Sequence, residues 1–202
     1  MRLLLVHTGG TLMMMGKKGT PLKPAAYTSD LLGMVPVLGE VAEIESRILF
    51  RIDSSDMQPE KWIELGRTIH EALPAYDGVV VVHGTDTMAY TASALAFLLP
   101  DLDRPVILTG SQRPLQRIRS DARQNLIDAF QLACRPIPEV GLAFASKLLR
   151  GCRATKMDAW GLDAFGSPMC PPLAELGIGI DVGRHLLAPR SRQPYDDRLE
   201  PR

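Results

Sequence analysis

Three stretches of the chain place small hydroxylated residues beside glycines: Thr8-Gly9-Gly10-Thr11, His83-Gly84-Thr85-Asp86-Thr87 and Thr109-Gly110-Ser111-Gln112-Arg113-Pro114. Each follows an apolar run that reads as a strand. Glycine lets backbone N–H groups come close to a ligand, and a following helix N-terminus favours negative charge. Turn and cap duty would explain one such stretch. Three of them, at the carboxyl ends of strands in one sheet, point to a ligand site. Thr11 is a candidate nucleophile, although a threonine hydroxyl is inert at neutral pH without an activating base. Asp86 beside Thr85 supplies a carboxylate, and a lysine would complete a Thr–Lys–Asp relay. That lysine needs desolvation to bring its pKa down from the ordinary ~10.4. Spacing does not choose among the lysines present.

Competing chemistries fail on their fingerprints. Gly9-Gly10 is followed by Thr11-Leu12-Met13, so no dinucleotide motif opens after the first strand. Gly16-Lys17-Lys18 lacks the upstream glycine and the following Ser or Thr of a phosphate loop. A serine hydrolase elbow, G-x-S-x-G, is absent. Cys134, Cys152 and Cys170 form no C-x-x-C pair, and His7 and His83 belong to no cluster with ligand spacing, so no metal site is expected. The two histidines read as packing residues. Arg117, Arg119 and Arg123 read as a solvated or ion-paired face, and Trp62 and Trp160 as core or interface. Met13, Met14 and Met15 fit either an apolar lid or a chance run.

The elements that must position these residues alternate. Leu3–His7, Ile44–Ile52, Val79–His83, Val106–Thr109 and Val140–Ala145 read as buried strands. Between them Glu60–Ala72, Thr87–Leu99 and Asp121–Cys134 have helical character, with Pro59 suited to a first turn and Ser120 to an N-cap. This predicts an α/β fold: an open, mainly parallel sheet with helices on both faces, built from right-handed crossovers. Met13–Thr28 reads as a functional loop after the first strand. Residues 1–188 form one domain in this reading. Residues 189–202, rich in Arg, Asp and Pro, read as a linker-like disordered tail.

Composition fits a globular domain. The 202 residues are 46% hydrophobic and 23% charged, which argues against disorder. Lys and Arg total 23 against 23 Asp and Glu, so no general footprint for nucleic acid or an anionic membrane is expected. The apolar start, Met1 to Val6, is too short for a signal-peptide core, and no run reaches the ~18 apolar residues of a spanning helix. With few, unpaired cysteines, the expected location is the cytoplasm.

Four motifs in order, Thr8–Thr11, Asp53-Ser54-Ser55-Asp56-Met57, His83–Thr91 and Thr109–Gln112, resemble the bacterial-type L-asparaginases, closest to the cytoplasmic type I group. The resemblance runs from about Leu3 to at least Leu187 and covers the family's N-terminal domain. It implies an amidohydrolase that converts L-asparagine to aspartate and ammonia, with no cofactor. Thr11 falls at the family's acyl-accepting nucleophile. Thr85, Asp86 and Lys156 fall at its second Thr–Asp–Lys set. Ser54 and Ser55 match positions that hold the substrate's α-carboxylate, and Asp86 also contacts its α-ammonium. The family's loop tyrosine has no counterpart directly after Gly19, where Thr20 stands, so Tyr27 is the remaining loop tyrosine.

Family members carry a second, smaller domain after a linker, and their site is completed by a neighbouring subunit. The resemblance thus implies a homo-oligomer at full length and an impaired activity for this domain alone. Two other readings stand beside it. One is a related glutaminase or amidotransferase subunit, which usually brings an extra N-terminal domain. The other is a non-catalytic module for amino-acid binding or assembly.

Overall fold

The computed structural model describes residues 1–10, 12, 14–15, 23–24 and 29–187. The elements are β1 (Arg2–Gly9), β2 (Met14–Met15), β3 (Lys23–Pro24), α1 (Ser29–Met34), α2 (Leu38–Val41), β4 (Glu43–Ile52), α3 (Pro59–Ala72), β5 (Gly78–Val82), α4 (Met88–Leu98), β6 (Val106–Thr109), α5 (Ala122–Ala133), β7 (Val140–Phe144), β8 (Lys147–Arg150), β9 (Thr155–Lys156), β10 (Phe165–Gly166), β11 (Ala174–Leu176) and β12 (Ile180–Val182). Eight strands form the main sheet in the order β12-β11-β8-β7-β6-β5-β1-β4. From β4 to β7 the pairs are parallel, and β8, β11 and β12 extend the sheet antiparallel. Two short hairpins, β2–β3 and β9–β10, stand outside it.

The sheet is apolar on both faces, which is why its central strands read as unbroken Val and Leu runs. Leu4, Val6, Val79, Val81, Val106 and Leu108 pack with Leu65 and Ile69 of α3 and Met88, Ala92 and Leu95 of α4. Leu3, Leu5, Val80, Val82 and Ile107 face the other way, against Leu31 of α1, Leu38 of α2 and Leu126 and Phe130 of α5. The expected α/β architecture is therefore present. Among the described residues no helix is long and apolar enough to cross a membrane.

One expectation changes. The chain steps from β5 to β6 to β7 in one direction, yet α4 covers one face and α5 the other. Those two crossovers have opposite hands. The β1–β4 and β4–β5 connections share the hand of β5–α4–β6, and ≈ 98% of such units are right-handed. The β6–α5–β7 unit is therefore the left-handed one.

This arrangement opens the sheet edge. The chain leaving β5 turns toward the α3/α4 face, while the chains leaving its neighbours β1 and β6 turn toward the α1/α2/α5 face. Diverging connections at adjacent strands create a crevice at their carboxyl ends, here on both sides of β5.

Candidate active site

The residues that follow β5 stand in the middle of that edge. Gly10, after β1, backs onto them: it has φ +90°, and a Cβ there would lie 2.5 Å from the Gly84 nitrogen. From the other flank Gly110 lies against the His83 carbonyl, again with no room for a side chain. Only glycine permits this approach. The β1–β4 register shifts where the site begins, between His7 and Gly9, with the extra residues on β4.

Lys156 reaches this edge from the β9–β10 hairpin. Its Nζ donates to Thr85 Oγ1 at 3.0 Å and to Asp86 Oδ1 at 2.8 Å. Thr85 is buried and Lys156 half-buried, while the Asp86 side chain is 66% exposed. The fold thus brings together three of the residues expected from the sequence, although about seventy positions separate the lysine from the other two.

Thr85 is oriented further by a residue that sequence reasoning did not single out. Its hydroxyl donates to Gln112 Oε1 at 2.9 Å, and Gln112 Nε2 donates to the carbonyls of Ala159 and Gly161 at 3.3 and 3.1 Å. Carbonyl oxygens only accept, so this network fixes which end of the amide faces Thr85. It also fixes the hydroxyl: Thr85 accepts from Lys156 and gives its proton to Gln112. Gln112 lies within the third glycine motif, and that position was the available signal.

Two backbone clamps hold the Gln112 loop. The Asp121 carboxylate accepts from the Gln112 and Arg113 N–H groups at 2.9 and 3.1 Å. Asn125, buried on α5, donates to the Gly110 carbonyl at 3.0 Å and accepts from Ala145 N–H at 3.1 Å. Ser120 Oγ accepts from Ala122 N–H at 3.1 Å, but the N-cap of α5 is Asp121 and not Ser120 as expected, because the helix starts at Ala122.

Ser54 and Ser55 part company. Ser54 is buried, its Oγ 3.3 Å from the Asp86 nitrogen and its carbonyl accepting from Thr87 Oγ1 at 2.7 Å. It sits at the Thr85–Asp86 loop. Ser55 is exposed and turned to Asp53, whose Oδ1 accepts from Ser55 N and Oγ at 2.9 and 2.8 Å. Those bonds, chiefly the backbone one, hold the Asp53 carboxyl below its ordinary pKa.

Thr11 and Tyr27 lie outside the described residues, as do residues 188–202. On either side of Thr11, Gly10 touches Gly84, and Leu12 is buried with its carbonyl accepting from Leu115 N–H at 3.3 Å. His83 is buried and hydrogen-bonded, as expected of a packing residue, and Trp62 is half-buried, but Trp160 is 95% exposed. Among the described residues no group of three His, Cys, Asp or Glu is placed to hold a metal.

This chain is similar to known proteins over nearly all its length. L-asparaginase 1 of Escherichia coli is 44% identical over 181 residues, covering 87% of this chain and 53% of that protein. The L-asparaginase of Thermococcus kodakarensis is 38% identical over 203 residues, covering 100% of this chain and 62% of the relative. The crystal structure of L-asparaginase I from Vibrio cholerae superposes with a TM-score of 0.86 at 38% identity, over 96% of this chain and 59% of the other. The chain spans between about half and three fifths of these relatives' length. Residues 2–187 match the family model described as "Asparaginase, N-terminal". With that match over almost the whole chain, this chain belongs to the asparaginase family.

Proposed function

We propose that this domain carries the catalytic half of an amidohydrolase that hydrolyses L-asparagine to L-aspartate and ammonia. The observation that carries the reading is the Lys156 contact to both Thr85 and Asp86. In this reading Thr11 Oγ attacks the side-chain amide carbon, ammonia leaves, and water then cleaves the aspartyl–Thr11 ester. The Thr85 hydroxyl, with its proton committed to Gln112, favours Thr11 over Thr85 as the attacking group. Lys156, Thr85 and Asp86 then serve proton transfer and charge stabilisation. Ser54, Ser55 and Asp86 bind the substrate's carboxylate and ammonium ends, and Tyr27 is the loop tyrosine that closes on it.

The domain ends at residue 188 in this proposal, residues 189–202 being a linker. The protein works in the cytoplasm as a homo-oligomer, without cofactor or metal. Three free thiols fit a reducing compartment. Met157, Trp160 and Met169, 62%, 95% and 87% exposed beside the lysine hairpin, offer an apolar surface for another subunit. Each buried contact to a charged group that such a subunit would add is worth roughly 1.5–3 kcal/mol, about ten- to a hundredfold in rate. Activity of the isolated domain is accordingly low.

The test is ammonia release from L-asparagine by the purified chain beside its Thr11→Ala variant, with circular dichroism on both. Release that vanishes with Thr11 supports the proposal. Equal release from both removes Thr11 from its role. Calorimetric binding of L-aspartate with no release would favour the binding module.

A further inference from the structure

His83 directly follows β5, and its ring hydrogen bonds go to Gly84 and Thr91, not to Thr85, Asp86 or Lys156. Its Nδ1 lies 2.8 Å from the Gly84 carbonyl oxygen, and its Nε2 2.9 Å from Thr91 Oγ1 of α4. Trp62 Nε1 of α3 donates to the same Thr91 oxygen at 2.9 Å. The polarity of this chain is determined. A carbonyl only accepts, so Nδ1 carries the proton. Complete burial keeps the ring neutral by lowering its pKa to about 4, so Nε2 is an acceptor and Thr91 donates to it. Trp62, donor only, then supplies the hydrogen bond that Thr91 accepts.

We infer that His83 is a positioning residue of the site: it locks the Gly84 carbonyl, and through it the peptide leading into Thr85 and Asp86. The inference rests on the catalytic reading of Thr85, Asp86 and Lys156 above. A trans peptide is planar, with C=O and N–H pointing oppositely. Holding the Gly84 oxygen on the ring therefore turns the Thr85 N–H away from it. The same short segment is where the three loops converge. A Cβ on Gly10 would lie 2.8 Å from the His83 carbonyl carbon, and one on Gly84 would lie 2.7 Å from Ser54 Cβ. The Gly84 Cα, at the head of this peptide, is thus packed between Gly10 and Ser54, and a displacement of it would press on both. The anchor comes from behind, through α4 and α3, so Trp62 and Thr91 act on the site without touching it.

Asparagine and glutamine separate the two ends of the imidazole. His83→Asn places an N–H near the Nδ1 position and keeps the donor to Gly84. His83→Gln reaches the Nε2 position and abandons Gly84. The experiment compares both with the parent chain in three readouts: the imidazole 15N tautomer pattern and the Thr85 and Asp86 amide shifts by NMR, the Kd for L-aspartate, and the kcat and KM of ammonia release. The parent should show the Nδ1–H tautomer from pH 5.5 upward. His83→Asn should keep the two amide shifts and bind aspartate within about threefold of the parent. His83→Gln should move both shifts and lose about tenfold or more in Kd and kcat. An Nε2–H tautomer in the parent overturns the inference. So do two variants that behave alike, whether both near the parent or both equally impaired. If the parent neither binds aspartate nor releases ammonia, the functional proposal fails, and the tautomer and amide shifts still decide the role of His83.

Discussion

Gly10 and Gly84 meet backbone to backbone, so closely that a Cβ on Gly10 would lie 2.6 Å from the Gly84 Cα. Two loops that the sequence separates by more than seventy residues are therefore one rigid unit at the sheet edge.

Gly84→Ala tests that unit. The added methyl would meet Ser54 Oγ at 2.5 Å and Ser54 Cβ at 2.7 Å, and Ser54 is buried with little room to withdraw. The expected cost is about 1–3 kcal/mol of stability, by overpacking. L-Aspartate binding should weaken with it, because Ser54 moves. Urea unfolding and calorimetry measure the two. Unchanged values in both would show that the loops yield more easily than their contacts imply.

Lys156→Met separates chemistry from stability. The methionine keeps most of the apolar stem and removes the Nζ donors to Thr85 and Asp86. The pair with Asp86 is largely solvated on the acidic side, so the stability change should stay below about 1 kcal/mol. Thr11-dependent ammonia release should fall by roughly 10²–10⁴-fold. A variant that turns over like its parent would remove Lys156 from the relay.

Acid should unfold the protein through two histidines. Burial lowers His7 and His83 from 6.5 to about 4. Between those values the unfolded chain binds protons that the folded chain refuses, so stability falls as pH drops from 6.5 toward 4. Above 6.5 neither group contributes a slope. Each is worth on the order of 3 kcal/mol once pH is below 4. Urea midpoints from pH 7.5 down to 4.5 should decline, and His83→Asn should flatten the decline. A midpoint level across that range contradicts the burial argument.

The parallel part of this fold is legible because its strands carry one pattern each. Val79–Val82 is a fully buried run with no polar face, as a central parallel strand requires, and Pro59 marks the first turn of α3 as its missing N–H allows. The antiparallel extension gave no such signal. The turn between β7 and β8 places Ala145 and Ser146 at φ +47° and +60°, without the Asn-Gly that normally announces such a turn, and β8 is only four residues long. The left-handed crossover is invisible to patterning, which gives the faces of a helix but not its side of the sheet. Site residues divide in the same way. Thr85 and Asp86 lie inside a motif at a strand end, where the ligand edge is expected. Lys156 was identifiable through family resemblance alone, since no spacing relates it to Thr85. Gln112 acts on the Thr85 hydroxyl while held by the Ala159 and Gly161 carbonyls, and Asn125 bridges Gly110 and Ala145, contacts that only the folded chain brings together.

The hand of the β6–α5–β7 unit also bears on the order in which the chain folds. Strand twist guides an ordinary crossover onto its sheet, and that guidance opposes this one. What holds α5 on its face is its apolar packing together with the grip of Asp121 on the Gln112 and Arg113 amides and of Asn125 on Gly110 and Ala145. Those bonds close loops of about ten to twenty residues; the ones to Gln112, Arg113 and Gly110 lie within the β6–α5 connection, and the one to Ala145 forms only when β7 is in place. Docking of β7 against that guidance is therefore a late event, and Lys156, which follows β7 in the chain, reaches Thr85 and Asp86 only after it. A refolding chain acquires its ligand site last, so recovery of aspartate binding should trail recovery of helical signal.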